Sequence, residues 1–171
     1  MATAATQLHE LADNLESLPR PAAPAATPQE CVLLIEDDAE AMWLVRFALE
    51  EHGNSRYWLE WAITLREGLE YLSSGGVDVV LLDLGLPDSS GPESFVWVRE
   101  VSQVPVVVLT ANTSLETERA VTEDGVEGYL VKDRVSGSLL LQAIGAALYA
   151  KKQRVSSTNH PKLLRTRFRL G

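Results

Sequence analysis

Two rhythms of apolar residues alternate between positions 31 and 154. Runs at 31–35, 77–82 and 104–109 are almost continuously apolar and too short for helices, so they read as strands buried on both faces. Weaker runs at 57–62 and 127–131 complete a set of five. Between them the spacing is helical. Residues 39–52 stop at Gly53, whereas 64–74 open on Thr64 with Glu67 three positions later, align Leu65, Leu69 and Leu72, and stop at Gly75 and Gly76. Residues 90–102 open on Ser90 and Glu93, and 113–124 on Thr113 and Glu116, ending at Gly125. The last segment, 136–152, has Ser136 as its cap, a stripe of Leu140, Ile144, Ala147 and Leu148, and lysines in a final turn that suits them. Five strands alternating with five helices predict an α/β fold, a parallel sheet covered on both sides and joined by right-handed crossovers.

The flanks follow other rules. In the arm formed by residues 1–30, Leu8, Leu11, Leu15 and Leu18 keep a helical spacing behind Thr6, and an Ala/Pro run from Pro19 to Pro28 reads as a semi-rigid linker. The stripe reads as a marginal helix that rests on the domain or frays in solvent, with a docking or dimerising helix as the alternative. At the other end, 155–171 reads as a basic, disordered tail, with a docking peptide or a weak anchor to nucleic acid or anionic membrane as alternatives.

Charge sharpens this division. The net charge of −9 argues against a body that wraps nucleic acid. Seven of the 15 Lys/Arg lie in 151–171 with no acid, so residues 1–150 carry all 24 acids against eight bases, a net of −16. The lone cysteine, Cys31, excludes an intramolecular disulfide and a cysteine-rich zinc site. No apolar run is long enough to span a bilayer and the N-terminus lacks a signal-peptide plan, so a cytoplasmic protein is expected. Trp43, Trp58, Trp61 and Trp97 read mostly as packing, although Trp58 and Trp61 have opposite strand parity, which turns one of them away from the core.

In an open parallel sheet, ligands bind beyond the carboxyl ends of the strands. The residues there are Glu36, Asp37 and Asp38 after the first strand, Asp83 after the third, Thr110 after the fourth and Lys132 after the fifth. Glu36, Asp37 and Asp83 should converge, and carboxylates held together repel by roughly 4 kcal/mol per pair at 4 Å and an effective dielectric of 20. A divalent cation or shared protons must offset that; Mg²⁺ suits a site of hard oxygen ligands. Lys132 supplies a movable cation and Thr110 a short donor, which together make a phosphoryl site. Each signal has a plainer reading: capping for 36–38, turn chemistry for Thr110, a solvated loop pair for Lys132 and Asp133. Their joint placement favours the site.

Four motifs carry a resemblance. Leu-Leu-Ile-Glu-Asp-Asp at 33–38, Leu-Leu-Asp-Leu-Gly-Leu-Pro-Asp-Ser-Ser-Gly at 81–91, Val-Val-Leu-Thr-Ala at 107–111 and Gly-Tyr-Leu-Val-Lys at 128–132 resemble the receiver domain of bacterial two-component response regulators, over about 70% of the chain. The resemblance implies a flavodoxin-like (βα)5 doubly wound sheet with strand order 2-1-3-4-5, filling 31–154. It implies Asp83 as phosphoacceptor, Mg²⁺ held by Glu36, Asp37, Asp83 and the backbone carbonyl of Gly85, Thr110 and Lys132 at the phosphoryl group, and Tyr129 as an aromatic switch. Ala111 would leave the gap used for access. The implied partners are a sensor histidine kinase or a histidine phosphotransfer protein, and a downstream protein that reads the face formed by 113–152; a homodimer through the last helix is implied in the same way. Two positions depart from the commonest pattern or vary within it. Asp133 stands where many members have proline, so an ordinary trans peptide is expected. Gly85 gives little shielding, so the phosphoryl lifetime should not be unusually long.

About nineteen residues follow Lys152, too few for a core of their own, so no DNA-binding domain is expected among them. The chain reads as a stand-alone receiver or as a piece of a longer regulator, and as a signalling domain rather than an enzyme. Competing readings are a receiver-like adaptor that needs no phosphorylation and a Mg²⁺-dependent phosphohydrolase. The haloacid-dehalogenase pattern, however, wants a second carboxylate where Gly85 stands.

Overall fold

Strand β1 (Glu30–Ile35) lies inside the sheet and is fully buried from Val32 to Ile35. In this computed structural model, residues 29–158 are described except Asn54, Asn112 and Thr113. The leucine stripe of the N-terminal arm, its Ala/Pro linker and the basic stretch from 159 onward lie outside the described residues. The other strands are β2 (Tyr57–Ala62), β3 (Val79–Leu82), β4 (Val106–Thr110) and β5 (Gly128–Val131), all parallel in the order β2-β1-β3-β4-β5. This is the expected doubly wound topology.

Alternation along the strands sends side chains to two cores. Leu33, Ile35, Val80, Leu82 and Val108 pack under helices α2 (Leu65–Ser74), α3 (Glu93–Val101) and α4 (Leu115–Glu123), against Leu72, Phe95, Val98 and Val121. Val32, Leu34, Leu81, Val107 and Leu109 pack under α1 (Ala39–His52) and α5 (Gly137–Thr158), against Val45, Leu49, Ile144 and Leu148. Each fully buried Leu, Ile or Val contributes about 1.5–3 kcal/mol relative to exposure, which is why β3 is entirely Val and Leu and β4 is apolar until Thr110. Gly68 permits the tight seat of α2 on β1: a Cβ there would stand 2.4 Å from Ile35 Cδ1.

Most helix signals hold. Helix α1 has the expected bounds, Thr64 Oγ1 accepts the Glu67 N–H at 3.2 Å, Ser136 Oγ accepts the Leu139 N–H at 3.3 Å, and Gly125 ends the α4 segment at φ +88°. Ser90 is not a cap. Gly91 takes φ +62° and Pro92, with φ preset near the helical value, starts α3 from Glu93 with no side-chain cap. Helix α4 likewise begins at Leu115 behind Ser114.

The end of α5 requires a larger correction. It runs on to Thr158, so the lysines expected in a final turn are internal and are paired with the fold. Lys151 Nζ stands 2.8 Å from Asp78 Oδ1, Lys152 Nζ 2.9 Å from Glu30 Oε1, and Arg154 pairs with Glu127. Three of the seven cations counted in 151–171 therefore neutralise acids at the amino ends of β1, β3 and β5. The tryptophans also differ from expectation: Trp43, Trp58 and Trp97 are each more than half exposed.

Candidate functional site

Register builds the site. Ile35 is paired with Leu82, and the Asp83 N–H donates to the Ile35 carbonyl at 3.0 Å, so the next residues, Glu36 and Asp83, emerge side by side. Thr110 is paired with Val131, which brings Lys132 to the same edge from the far side. The carboxylates of Glu36, Asp37 and Asp83 place ligand atoms within 4.8 Å of one another. Glu36 is fully buried and Asp83 nearly so, while Asp37 faces solvent.

Lys132 spans the two buried acids, with Nζ 2.6 Å from Glu36 Oε2 and 2.9 Å from Asp83 Oδ2. Its contact with Glu36 is short but poorly aligned, so Oε2 is buried with a charge beside it and no directional donor. Glu36 Oε1 accepts the Asp38 N–H at 3.2 Å. Burial, followed by the Asp83 charge, holds the Glu36 carboxyl above its ordinary range, although Lys132 works against this. Burial alone would lower the Lys132 ammonium; its pairs with Glu36 and Asp83 outweigh that and raise it, so it stays charged at neutral pH.

Beyond these four residues, Thr110 closes β4 as a buried side chain. Tyr129 is half-buried on β5, against the core beneath α2–α4, and burial together with the Glu118 charge pushes its hydroxyl up. A Cβ on Gly85 would stand 3.4 Å from Asp83 Oδ2, so that position directly abuts the carboxylate. Lys132 to Arg134 form a 3-10 turn, and the described residues contain no cis peptide, in line with the expectation at Asp133.

Two supporting contacts escape sequence reasoning. Trp61 Nε1 donates to the Glu36 carbonyl at 2.7 Å, tying edge strand β2 to the acidic loop. Asp88, inside the 81–91 motif, accepts from Leu65 and Arg66 N–H at 2.9 and 3.0 Å, and so anchors the loop after β3 to the start of α2. Strand parity hinted at the inward turn of Trp61, but neither partner is near in sequence.

The acid set suits a hard dication. Three carboxylates, one of them open to solvent, face a buried oxygen that lacks an aligned donor, and this combination fits Mg²⁺ and its retained waters.

A doubly wound parallel sheet with an acid and lysine site at its carboxyl edge defines the class. The chain belongs to the response regulator receiver domain family, whose model matches residues 32–144. It is 35% identical over 130 residues to the KDP operon transcriptional regulatory protein KdpE of Escherichia coli, covering 76% of this chain and 54% of that protein. Among solved structures it is similar to a CheY-like receiver domain protein of Methanospirillum hungatei (TM-score 0.66, 25% identity, 74% of this chain and 98% of that one). A receiver domain protein of Clostridium thermocellum aligns at TM-score 0.65 and 26% identity, over 73% and 98% of the two chains. The chain spans about half the length of the curated relatives it matches. Receiver domains are signalling domains that hold Mg²⁺ at an acidic pocket and interact with histidine kinases. Among the described residues no helix is long and apolar enough to cross a membrane.

Proposed function

We propose that Asp83 is the phosphoacceptor of this chain, in a Mg²⁺-dependent transfer from a histidine kinase or a histidine phosphotransfer protein. The observation that carries the reading is Lys132 held 2.9 Å from Asp83 Oδ2 and 2.6 Å from Glu36 Oε2, beside the clustered carboxylates. Glu36, Asp37, Asp83 and the Gly85 carbonyl would hold the ion. When bound it supplies charge neutralisation and a template for the incoming phosphoryl oxygens.

A carboxylate is a weak nucleophile, so positioning and neutralisation matter more here than proton transfer. An Asp83 oxygen attacks phosphorus, the P–N bond to the donor imidazole breaks with its electron pair going to nitrogen, and an acyl phosphate results. Lys132 then exchanges its contact with the Asp83 oxygen for one with the phosphoryl group. Thr110 donates its hydroxyl from the end of β4, and Tyr129 moves on β5 in response. The new charge of about −1.5 to −2 biases a two-state face formed by α4, β5 and α5, where Leu115, Leu139 and Tyr149 are already exposed to a downstream protein or a second copy. Gly85 leaves the acyl phosphate open to water, which favours an ordinary lifetime. The receiver unit runs from residue 31 through 154, with the rest of α5 attached.

Incubation with Mg²⁺ and a small acyl-phosphate donor tests this. Incorporation in the wild type that is lost on chelation and in Asp83→Asn supports the reading. Turnover of many phosphate esters would favour the phosphohydrolase, and no incorporation the adaptor.

A further inference from the structure

Between α1 and the start of α5 lies an open cavity of about 480 Å³. It is lined by Leu44, Val45, Phe47 and Leu140, by the acids Asp38, Glu40 and Asp133, and by the cation Lys132. Leu44 and Phe47 remain 71% and 62% exposed, too much apolar area at one place for scattered surface residues. Among the described residues, Asp38, Glu40 and Asp133 have no ion-pair partner. Lys132 is engaged by Glu36 and Asp83, so three acids without ion pairs beside exposed apolar side chains select an apolar segment interleaved with cations.

The chain contains one such segment. From Lys162 to Arg169 it reads Lys-Leu-Leu-Arg-Thr-Arg-Phe-Arg, with Lys162, Arg165, Arg167 and Arg169 set among Leu163, Leu164 and Phe168. The other three cations of 151–171, Lys151, Lys152 and Arg154, are paired with the fold. Phe and Arg are residues that dominate contact energies when seated in pockets.

We propose that the α1/α5 cavity receives residues 162–169 of a second copy of this chain. Reach sets the choice of copy. Leu140 and Thr158 are 18 residues apart on α5, about 27 Å at 1.5 Å per residue. From Thr158 a fully extended chain carries Leu163 only about 18 Å and Leu164 about 22 Å. A chain's own Phe168, ten residues past Thr158 and up to about 36 Å away, spans that distance but its leucines do not, so only another copy seats the whole of 162–169. Lys132 lines both this cavity and the acidic site, so a filled cavity shields one side of Asp83 from a protein donor; that consequence, unlike the binding itself, rests on the phosphoacceptor reading.

Sedimentation equilibrium of the full chain, with amide shifts followed as a function of concentration, tests the proposal. Self-association is expected, weakening about tenfold or more between low salt and about 0.5 M NaCl, with shifts concentrated at Leu44, Val135 and Leu140. Glu40→Lys with Asp133→Lys should abolish it, and adding Arg165→Glu with Arg167→Glu should restore it; the restored partner shows that the first variant still folds. Three results would overturn the proposal: a chain that stays monomeric, association indifferent to both charge changes, or shifts at these residues that do not depend on concentration.

Discussion

The indole Nε1 of Trp61 donates to the backbone carbonyl of Glu36 across 2.7 Å, linking the exposed edge strand to the first residue of the acidic loop. The Glu36 N–H donates to the Ala62 carbonyl at 2.9 Å, so both ends of the Glu36 residue are fixed by β2. Partners that fix metal ligands from behind commonly govern affinity about 10- to 100-fold. Trp61→Phe keeps the ring packing and removes the donor. It should cost about 1 kcal/mol of stability and weaken Mg²⁺ binding at least severalfold, read by calorimetric titration of the metal alone. Unchanged affinity would reduce Trp61 to packing.

Without a divalent ion, Lys132 is the charge that offsets Glu36 and Asp83. Lys132→Ala leaves two buried carboxylates facing each other and should destabilise the metal-free protein by roughly 3 kcal/mol, with much of the loss recovered in Mg²⁺. Asp83→Asn removes one repelling charge and should make the metal-free protein as stable as wild type or more so, while reducing its response to Mg²⁺. Urea unfolding with and without the ion reads all three proteins.

Far from the site, Glu127 collects the Val106 N–H at 2.7 Å, Arg99 at 2.9 Å and Arg154, joining α3, β4 and α5. Burial alone would raise its carboxyl, but these donors hold it below the ordinary value of 4.5. The folded-state value therefore lies under the unfolded one. Its ionised form contributes stability that is fully present above about pH 4.5 and is lost as pH falls through the folded value. Glu127→Gln should cost about 2–3 kcal/mol near pH 7 and less below pH 4, so its stability profile is flatter in acid than that of wild type.

Patterns that repeat along the chain were legible, and contacts that join distant segments were not. Continuous apolar runs fix the strands because both faces are buried, and strand register then delivers Glu36, Asp83 and Lys132 to one edge without further information. Ser90 misleads because Gly91 and Pro92 start the turn two residues later. Lys151 and Lys152 read as last-turn lysines facing the helix dipole because their partners Asp78 and Glu30, like Glu127 for Arg154, lie far off in sequence. Trp43 and Trp97 sit on helices whose buried stripes exclude them, and only the packed fold shows which side they take.

The central claim is that Asp83 carries the phosphoryl group. After incubation with Mg²⁺ and a small acyl-phosphate donor, peptide mapping by mass spectrometry locates the modification. An acid- and base-labile phosphoryl on the peptide containing Asp83, absent in Asp83→Asn and without Mg²⁺, is the predicted result. A stable phosphoryl on another residue, or none at all with Mg²⁺ bound, would contradict it.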